Sequence, residues 1–279
     1  MILGMAGLAI TDALLKLLGG AIPIVQLMII QGVSGTLIFG SLALRQHDTG
    51  WIKNFLLPIV VVRNVFEVIA AVSFLTALAL IPLSTLSAIL QANPLMVTLG
   101  AALWLKEPVG PRRWAAIAVG LFGVLLVIQP WSDSFGYLAV LGVIATIALA
   151  GRDLATRRLP KDLSTYQAST YALVMMFLVG LVMLFVTTDT WVRPTTTQTG
   201  LLVATILTLP VGYFGITAAM RVGDVAVVTP FRYSRIVFAL ILAALIFGER
   251  PDPLTLIGAA IIVASGLYTI WREHQHRSE

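Results

Sequence analysis

The chain has 279 residues, 58% of them hydrophobic and 11% charged, with a net charge of +5 and a mean hydropathy of +0.96. A soluble domain carries about 25% charged residues, so the composition excludes a soluble globular enzyme, a disordered chain and a nucleic-acid binder. The absence of cysteine excludes a disulfide framework, a thiol nucleophile and thiolate metal sites.

A spanning helix needs about 20 mostly apolar residues, and ten segments qualify: 2–18, 22–44, 56–80, 83–105, 114–130, 136–156, 165–187, 199–221, 225–247 and 253–270. The first opens MILGMAGLAITDALLKLL with no cation before Lys16, which reads as a membrane helix and not as a signal peptide. It carries Asp12 and Lys16 four apart, acid first, the favourable order for an intrahelical ion pair. The second segment holds Gln31. The third holds Arg63, Asn64 and Glu67, placed near mid-membrane at roughly 1.5 Å per residue. Arg63 and Glu67 share a face, which allows either a fixed structural pair or a pair lining a cavity wall.

The fourth segment carries a polar stripe of Ser84, Ser87, Gln91, Pro94 and Thr98, with Asn93 beside the kink that Pro94 invites. The sixth repeats the acid-first spacing at Asp153 and Arg157. In the seventh, Tyr166, Tyr171 and the hydroxyl residues are read as satisfying backbone and interface groups. The eighth holds Thr205, Thr208, Pro210 and Tyr213, with a second break expected at the proline. The ninth holds Arg232, Tyr233 and Arg235, whose arginines need an acceptor: Glu67, a helix C-terminus or a substrate carboxylate, which arginine holds bidentately. The fifth and tenth segments carry no charge but small residues suited to close packing, Gly120, Gly123, Gly258, Ala259 and Gly266.

Short connections leave no room for an extramembrane domain. With both termini in the cytoplasm, the inside connections and tail hold Arg45, Lys53, Lys106, Arg112, Arg113, Arg157, Arg158, Lys161, Arg221, Arg272 and Arg277, against Arg193 and Arg250 outside. That asymmetry sets the expected orientation, and the six tryptophans sit near helix ends as an interfacial belt would.

Shifted by 142, AALWLKE at 101–107 falls on AALIFGE at 243–249. Shifted by 141, AITDALLKLL at 9–18 falls on AGRDLATRRL at 150–159, matching Asp12 to Asp153 and Lys16 to Arg157. Five helices per copy, an odd number, makes the second copy enter the membrane inverted. That is the architecture of carriers with a midplane site between two rocking halves. The expected fold is therefore all-α, ten transmembrane helices as two inverted five-helix repeats, 1–132 and 133–279. Asp12/Lys16 and Asp153/Arg157 then occupy corresponding places at opposite mouths, as structural ion pairs or as gates.

The AALxxxE blocks, each closing an apolar helix before a turn and a Gly/Ala-rich helix, resemble the EamA repeats of the drug/metabolite transporter superfamily. The resemblance runs through Asp12, Lys16, Arg63, Pro82 to Pro94, Glu107, Gly120, Gly123 and Pro130. It continues through Asp224, Tyr233, Glu249, Pro251, Gly258 and Gly266. It implies ten helices, the bacterial inner membrane, export of small metabolites, often amino acids, and a cavity lined by helices 1, 3, 4, 6, 8 and 9. One departure is Gln31, where related sequences commonly carry arginine.

The expected function is a secondary transporter exporting small metabolites, most of all amino acids, by alternating access. The cavity set is Arg63, Asn64, Glu67, Gln91, Asn93, Tyr213, Arg232 and Tyr233. Arg232 is assigned to a substrate carboxylate and Glu67 to an amine or a counter-ion. Expected partners are the small-molecule substrate, membrane lipid and a coupling proton, with no nucleic acid and no cofactor. The chain has no HExxH, G-x-S-x-G or Walker A motif, so it is expected not to be an enzyme and not to be driven directly by ATP. Rival readings are a carrier of a nucleoside-type solute, a channel or an intramembrane enzyme.

Overall fold

The computed structural model describes residues 1–46, 50–104, 106, 110–131, 138–160, 162–187, 190–222 and 229–278. Within these, the side chains at 213–214, 216–222, 229–230 and 272–278 lie outside the description. Regular structure among the described residues is helical throughout. Helices α1 (Ile2–Gly19) and α2 (Ile24–Arg45) are separated by the Gly19-Gly20 turn and Pro23. A five-residue helix, α3 (Trp51–Phe55), precedes α4 (Pro58–Leu80), where Pro58 takes the first helical position, the one place its missing N–H is harmless. Tyr171 holds α3 in place, its hydroxyl donating to Trp51 O (2.7 Å) and its ring packing on Trp51 and Phe55.

The fourth expected segment is split. Helix α5 (Leu83–Leu90) ends one turn before α6 (Asn93–Trp104), so the kink expected at Pro94 is a full break in which Gln91 N and Ala92 N fall back to three-residue bonds. Then come α7 (Pro111–Ile128), α8 (Ala139–Arg157), α9 (Thr165–Val186) and α10 (Thr196–Val222). Against expectation, α10 runs through Pro210 without interruption. A turn of 3-10 helix (Thr229–Tyr233) leads into α11 (Ser234–Phe247). Gly248 ends α11 in the left-handed region (φ 63°), and Glu249 N returns to Ala243 O (3.0 Å). Helix α12 (Pro253–Ser278) completes the chain.

The described residues of each expected segment lie mainly on helix, the ninth beginning with a 3-10 turn. Among the described residues, eight helical stretches are long and apolar enough to cross a membrane: α1, α2, α4, residues 83–104, α7, α8, α9 and 253–271 of α12. The apolar part of α10, Thr196–Gly212, is shorter, and α11 has 14 residues. Polarity is inverted relative to a water-soluble bundle. Leu3, Phe185 and Leu245 are about four-fifths exposed, while Asp12, Gln31, Arg63, Asn64, Gln91 and Asn93 are buried. A helix bundle in hydrocarbon has this arrangement, because lipid solvates apolar side chains and cannot satisfy polar ones.

Helix α2 packs on α9, α7 on α12, α4 on α8, and α1 on α10 and α11. The seams are set by small residues. A Cβ added to Gly32 of α2 would lie 2.6 Å from Phe177 N of α9, and one on Gly258 of α12 would lie 2.6 Å from Gly123 O of α7. Leu18, Leu27, Met28, Leu78 and Leu86 bind α1, α2, α4 and α5 into one apolar cluster.

Candidate functional site

The intramembrane polar residues form layers along the bundle, from the end holding the α8–α9 connection to the end holding the α4–α5 connection. In the first layer, Arg63 is the sixth residue of α4. It therefore lies close to the helix start and not at mid-membrane as the sequence suggested. Its Nε donates to Thr156 Oγ1 (3.0 Å), and its Nη1 donates to Ala168 O (3.0 Å) and to Asn64 Oδ1 (3.3 Å). A cavity of about 220 Å³ lies here, lined by Arg63, α8 residue Thr156, and residues of the α8–α9 connection and of α9. The expected Arg63–Glu67 pair does not form. The long Arg63 side chain reaches acceptors on α8 and α9, and Glu67, one turn deeper, meets another cation.

That cation is Arg152, which forms the second layer. Its Nη1 lies 3.3 Å from Glu67 Oε2, and its Nη2 and Nε bond Asp153 Oδ1 at 2.8 and 3.0 Å. Asp153 Oδ2 accepts from Asn93 Nδ2 (3.1 Å), and Arg232 Nη2 stands 3.9 Å from it. Two arginines and two carboxylates thus balance within one layer drawn from α4, α6, α8 and the 3-10 turn. Beside it, Gln91 Nε2 donates to Tyr233 O (3.2 Å) across the α5–α6 break. Asn93 Oδ1, Ser87 Oγ and Tyr233 Oη are buried with no hydrogen-bond partner among the described residues. Glu67, Gln91, Asn93, Arg232 and Tyr233 are brought together, whereas Arg63 lines the cavity of the first layer and Asn64 is bonded to it. The Tyr213 side chain lies outside the described ones, as do Glu107 and Asp224.

In the third layer Arg235 Nη2 meets Asp12 Oδ2 at 2.6 Å. In the fourth, Lys16 Nζ donates to Ile81 O and to Leu78 O (3.2 Å), with Glu249 Oε1 at 3.9 Å. Glu249 in turn caps α5, accepting from Leu83 N (2.8 Å), Ser84 N (2.9 Å) and Ser84 Oγ (2.7 Å). The expected intrahelical pairs are therefore corrected. Asp12 pairs with Arg235 and not with Lys16, and Asp153 pairs with Arg152 and Arg232 while Arg157 is exposed. Same-helix pairs contribute only about 0.2–0.5 kcal/mol, so a buried carboxylate is satisfied better by converging donors from neighbouring helices. The two acids matched by the internal repeat both take an arginine from the stretch 232–235.

Three roles were missed from sequence. Arg152 sits inside the apolar run ALAGRDLA, and its position next to Asp153 was a visible signal that the four-residue spacing to Arg157 overshadowed. The partnership of Arg235 with Asp12 joins residues 223 apart and left no local trace. Glu249 was read as part of a repeated motif and not as a helix cap. Among the described residues no group of three or more His, Asp or Glu is placed to hold a metal.

Comparison with known proteins agrees with this architecture. The model of the EamA-like transporter family matches residues 1–129 and again 135–271. A riboflavin transporter of Vibrio cholerae is 30% identical over 241 residues, 85% of this chain and 77% of that protein. The pseudopaline exporter CntI of Pseudomonas aeruginosa is 28% identical over 258 residues, 92% and 89%. An S-adenosylmethionine uptake transporter of Rickettsia conorii is 25% identical over 213 residues, 76% and 71%. A crystal structure described only as that of a protein aligns with TM-score 0.62 and 19% identity over the whole of this chain and 97% of its own, a likeness of fold alone. With the family pattern matched twice across nearly its full length, this chain belongs to the EamA-like transporter family.

Proposed function

We propose that the chain is a secondary transporter that exports small zwitterionic metabolites, with amino acids the first class to test, by alternating access across the bacterial inner membrane. Its halves are read as two inverted repeats, 1–132 and 133–279, with both termini cytoplasmic. Three observations support that reading. The cation asymmetry of the connections favours it. Packing is preserved when the copies are exchanged, since α2 on α9 and α7 on α12 map onto themselves and α4 on α8 maps onto α10 on α1. The repeat-related Asp12 and Asp153 both engage arginines.

The observation that carries the cargo assignment is the contact between Arg232 and Asp153. At 3.9 Å, with the Arg232 side chain 31% exposed, it is looser than the 2.8 Å bond by which Arg152 holds the same carboxylate. A substrate carboxylate competes with Asp153 for the Arg232 guanidinium, and Glu67 or the released Asp153 faces the substrate amine. Gln91, Asn93, Tyr233 and, on α10, Tyr213 orient the rest, while Arg63, held by Asn64, lines the approach from the α8–α9 end. The layer's charge balance favours cargo of zero net charge, because an ion left without a counter-charge is costly in this environment. Transport is driven by the gradient of the cargo or of a coupling proton.

A second reading, a neutral heteroaromatic cargo, draws on the Gln31 amide, Asn64 Nδ2 and Asn93 Oδ1, which have no hydrogen-bond partner among the described residues, and on the likeness to riboflavin transporters. Proteoliposomes loaded with a labelled amino-acid panel and with riboflavin test both. The expected result is amino-acid flux above empty vesicles, abolished by Arg232→Ala and retained by Arg193→Ala. Flux of riboflavin alone selects the second reading, and flux of no solute in the panel overturns the assignment.

A further inference from the structure

We infer that a cleft between α7 and α12 at the α8–α9 end holds an acyl chain of an anionic phospholipid, with the lipid phosphate on Arg112. The site lies on the outer face of the bundle, apart from the charged layers and independent of the cargo; only its leaflet, the cytoplasmic one, rests on the orientation proposed above. Helix α7 starts at that end, since Trp104, the last residue of α6, lies under the Arg158 guanidinium that follows α8. Toward mid-membrane the two helices close on each other. A Cβ on Gly123 would lie 2.9 Å from Gly258 O, and one on Gly120 would lie 2.6 Å from Ser265 Oγ. Beyond Ser265 they leave a cleft of about 330 Å³, lined by Arg112, Ala115, Ala116, Val119, Ser265 and Tyr268. From Arg112 to Val119 it runs about 10 Å along α7, at roughly 1.5 Å per residue.

The lining is almost wholly apolar, with no acidic residue among those described. Ser265 adds no donor, because its hydroxyl is spent on Ile262 O (3.0 Å). The cleft therefore suits hydrocarbon and not a polar solute. Arg112 is exposed and has no hydrogen-bond or ion-pair partner among the described residues. Its stem lines the cleft, as long cationic side chains do at a membrane interface, and the donors of its planar fork are all free for phosphate oxygens. Tyr268, packed on Trp271 with ring centroids 5.9 Å apart, and the 41% exposed Trp114 mark the headgroup level. A chain seated in the cleft thus leaves its headgroup at the depth of Arg112. Phosphatidylcholine brings its own cation there, whereas phosphatidylglycerol brings a net negative charge that Arg112 neutralises, as basic pockets between membrane helices do for anionic headgroups.

The test uses the full chain in detergent micelles, with native mass spectrometry following the first bound lipid as phosphatidylglycerol or phosphatidylcholine of equal chain length is added. Phosphatidylglycerol is expected to bind about fivefold more tightly. Arg112→Gln is expected to erase that preference and Arg112→Lys to keep part of it. Arg45→Gln, which removes another exposed cation, is expected to leave it intact. Val119→Trp fills the cleft with Arg112 in place and is expected to abolish the tight phosphatidylglycerol site; Arg112 and Val119 are both exposed, so neither change opens the core. Equal affinity for the two lipids overturns the inference. Equal loss in Arg45→Gln and Arg112→Gln reduces the preference to general surface charge and overturns it too. Tight binding that survives Val119→Trp, or that glycerol phosphate displaces, assigns Arg112 to a phosphate without a seated chain and overturns it as well.

Discussion

Asp12 and Arg235 illustrate what a charge does in the interior of this bundle. Their side chains are 7% and 19% exposed, and the contact is 2.6 Å. Forming such a pair gives little net stability, because both ions lose water, but removing one partner leaves the other buried and uncompensated at a cost of about 3–5 kcal/mol. Asp12→Ala is therefore expected to lower the melting temperature sharply, and the double change Asp12→Ala with Arg235→Met is expected to recover most of the loss. Equal destabilisation by the single and the double variant would show that the pair is not coupled. Outside the membrane, Asp252 behaves differently. Burial pushes its carboxyl up, but hydrogen bonds from Thr255 Oγ1 and N and from Gln129 Nε2 together outweigh that and hold its pKa below the ordinary aspartate value. A depressed folded-state pKa stabilises above the unfolded value and is lost as pH falls through the folded one. The melting-temperature gap between wild type and Asp252→Asn is thus expected at neutral pH and should close under acid.

Between helices, contacts at single atoms decide what is tolerated. At Gly32 a Cβ meets the Phe177 backbone at 2.6 and 2.8 Å, whereas at Gly40 on the same helix it meets only Thr170 Cγ2 at 3.6 Å. Backbone cannot rotate away, so Gly32→Ala is expected to force α2 from α9 and cost about 1–3 kcal/mol. Gly40→Ala is expected to be neutral or mildly stabilising, through helix propensity. Thermal unfolding of the two variants in one detergent checks the contrast. Elements were legible in the sequence because membrane helices are written locally, as apolar runs bounded by Gly and Pro. The α5–α6 break could be read from Pro94 for the same reason. Partnerships were not legible, since Arg152 with Glu67 and Arg235 with Asp12 join helices distant in the chain. Spacing rules see only one helix, and so they offered Lys16 to Asp12 and Arg157 to Asp153. The arginines of the 232–235 stretch were recognised as needing acceptors, but the choice among them depended on how the helices pack.

Across the whole molecule the two ends differ, although the proposed inverted repeat would relate them. Lys16 is tied to the Leu78 and Ile81 carbonyls and faces Glu249, which caps α5, while its repeat counterpart Arg157 is exposed. In the proposed alternating carrier one mouth closes at a time, and the α4–α5 end is here the more tightly packed of the two. Ser84, bonded to Glu249, is 2% exposed there, and Thr156 is exposed at the opposite end. Because the natural chain has no cysteine, single-cysteine variants report accessibility without background. In nanodiscs Thr156→Cys is expected to react with a polar maleimide, and Ser84→Cys to be protected. Glu249→Gln keeps the shape of the cap but removes the charge facing Lys16 and weakens charge-assisted bonds to Leu83 and Ser84. It is expected to raise labelling of Ser84→Cys severalfold and to lower that of Thr156→Cys, as the population shifts toward the other end opening. Labelling that rises at both positions together would mean that the substitution merely loosens the bundle, and that Lys16 and Glu249 act as structural ties and not as a gate.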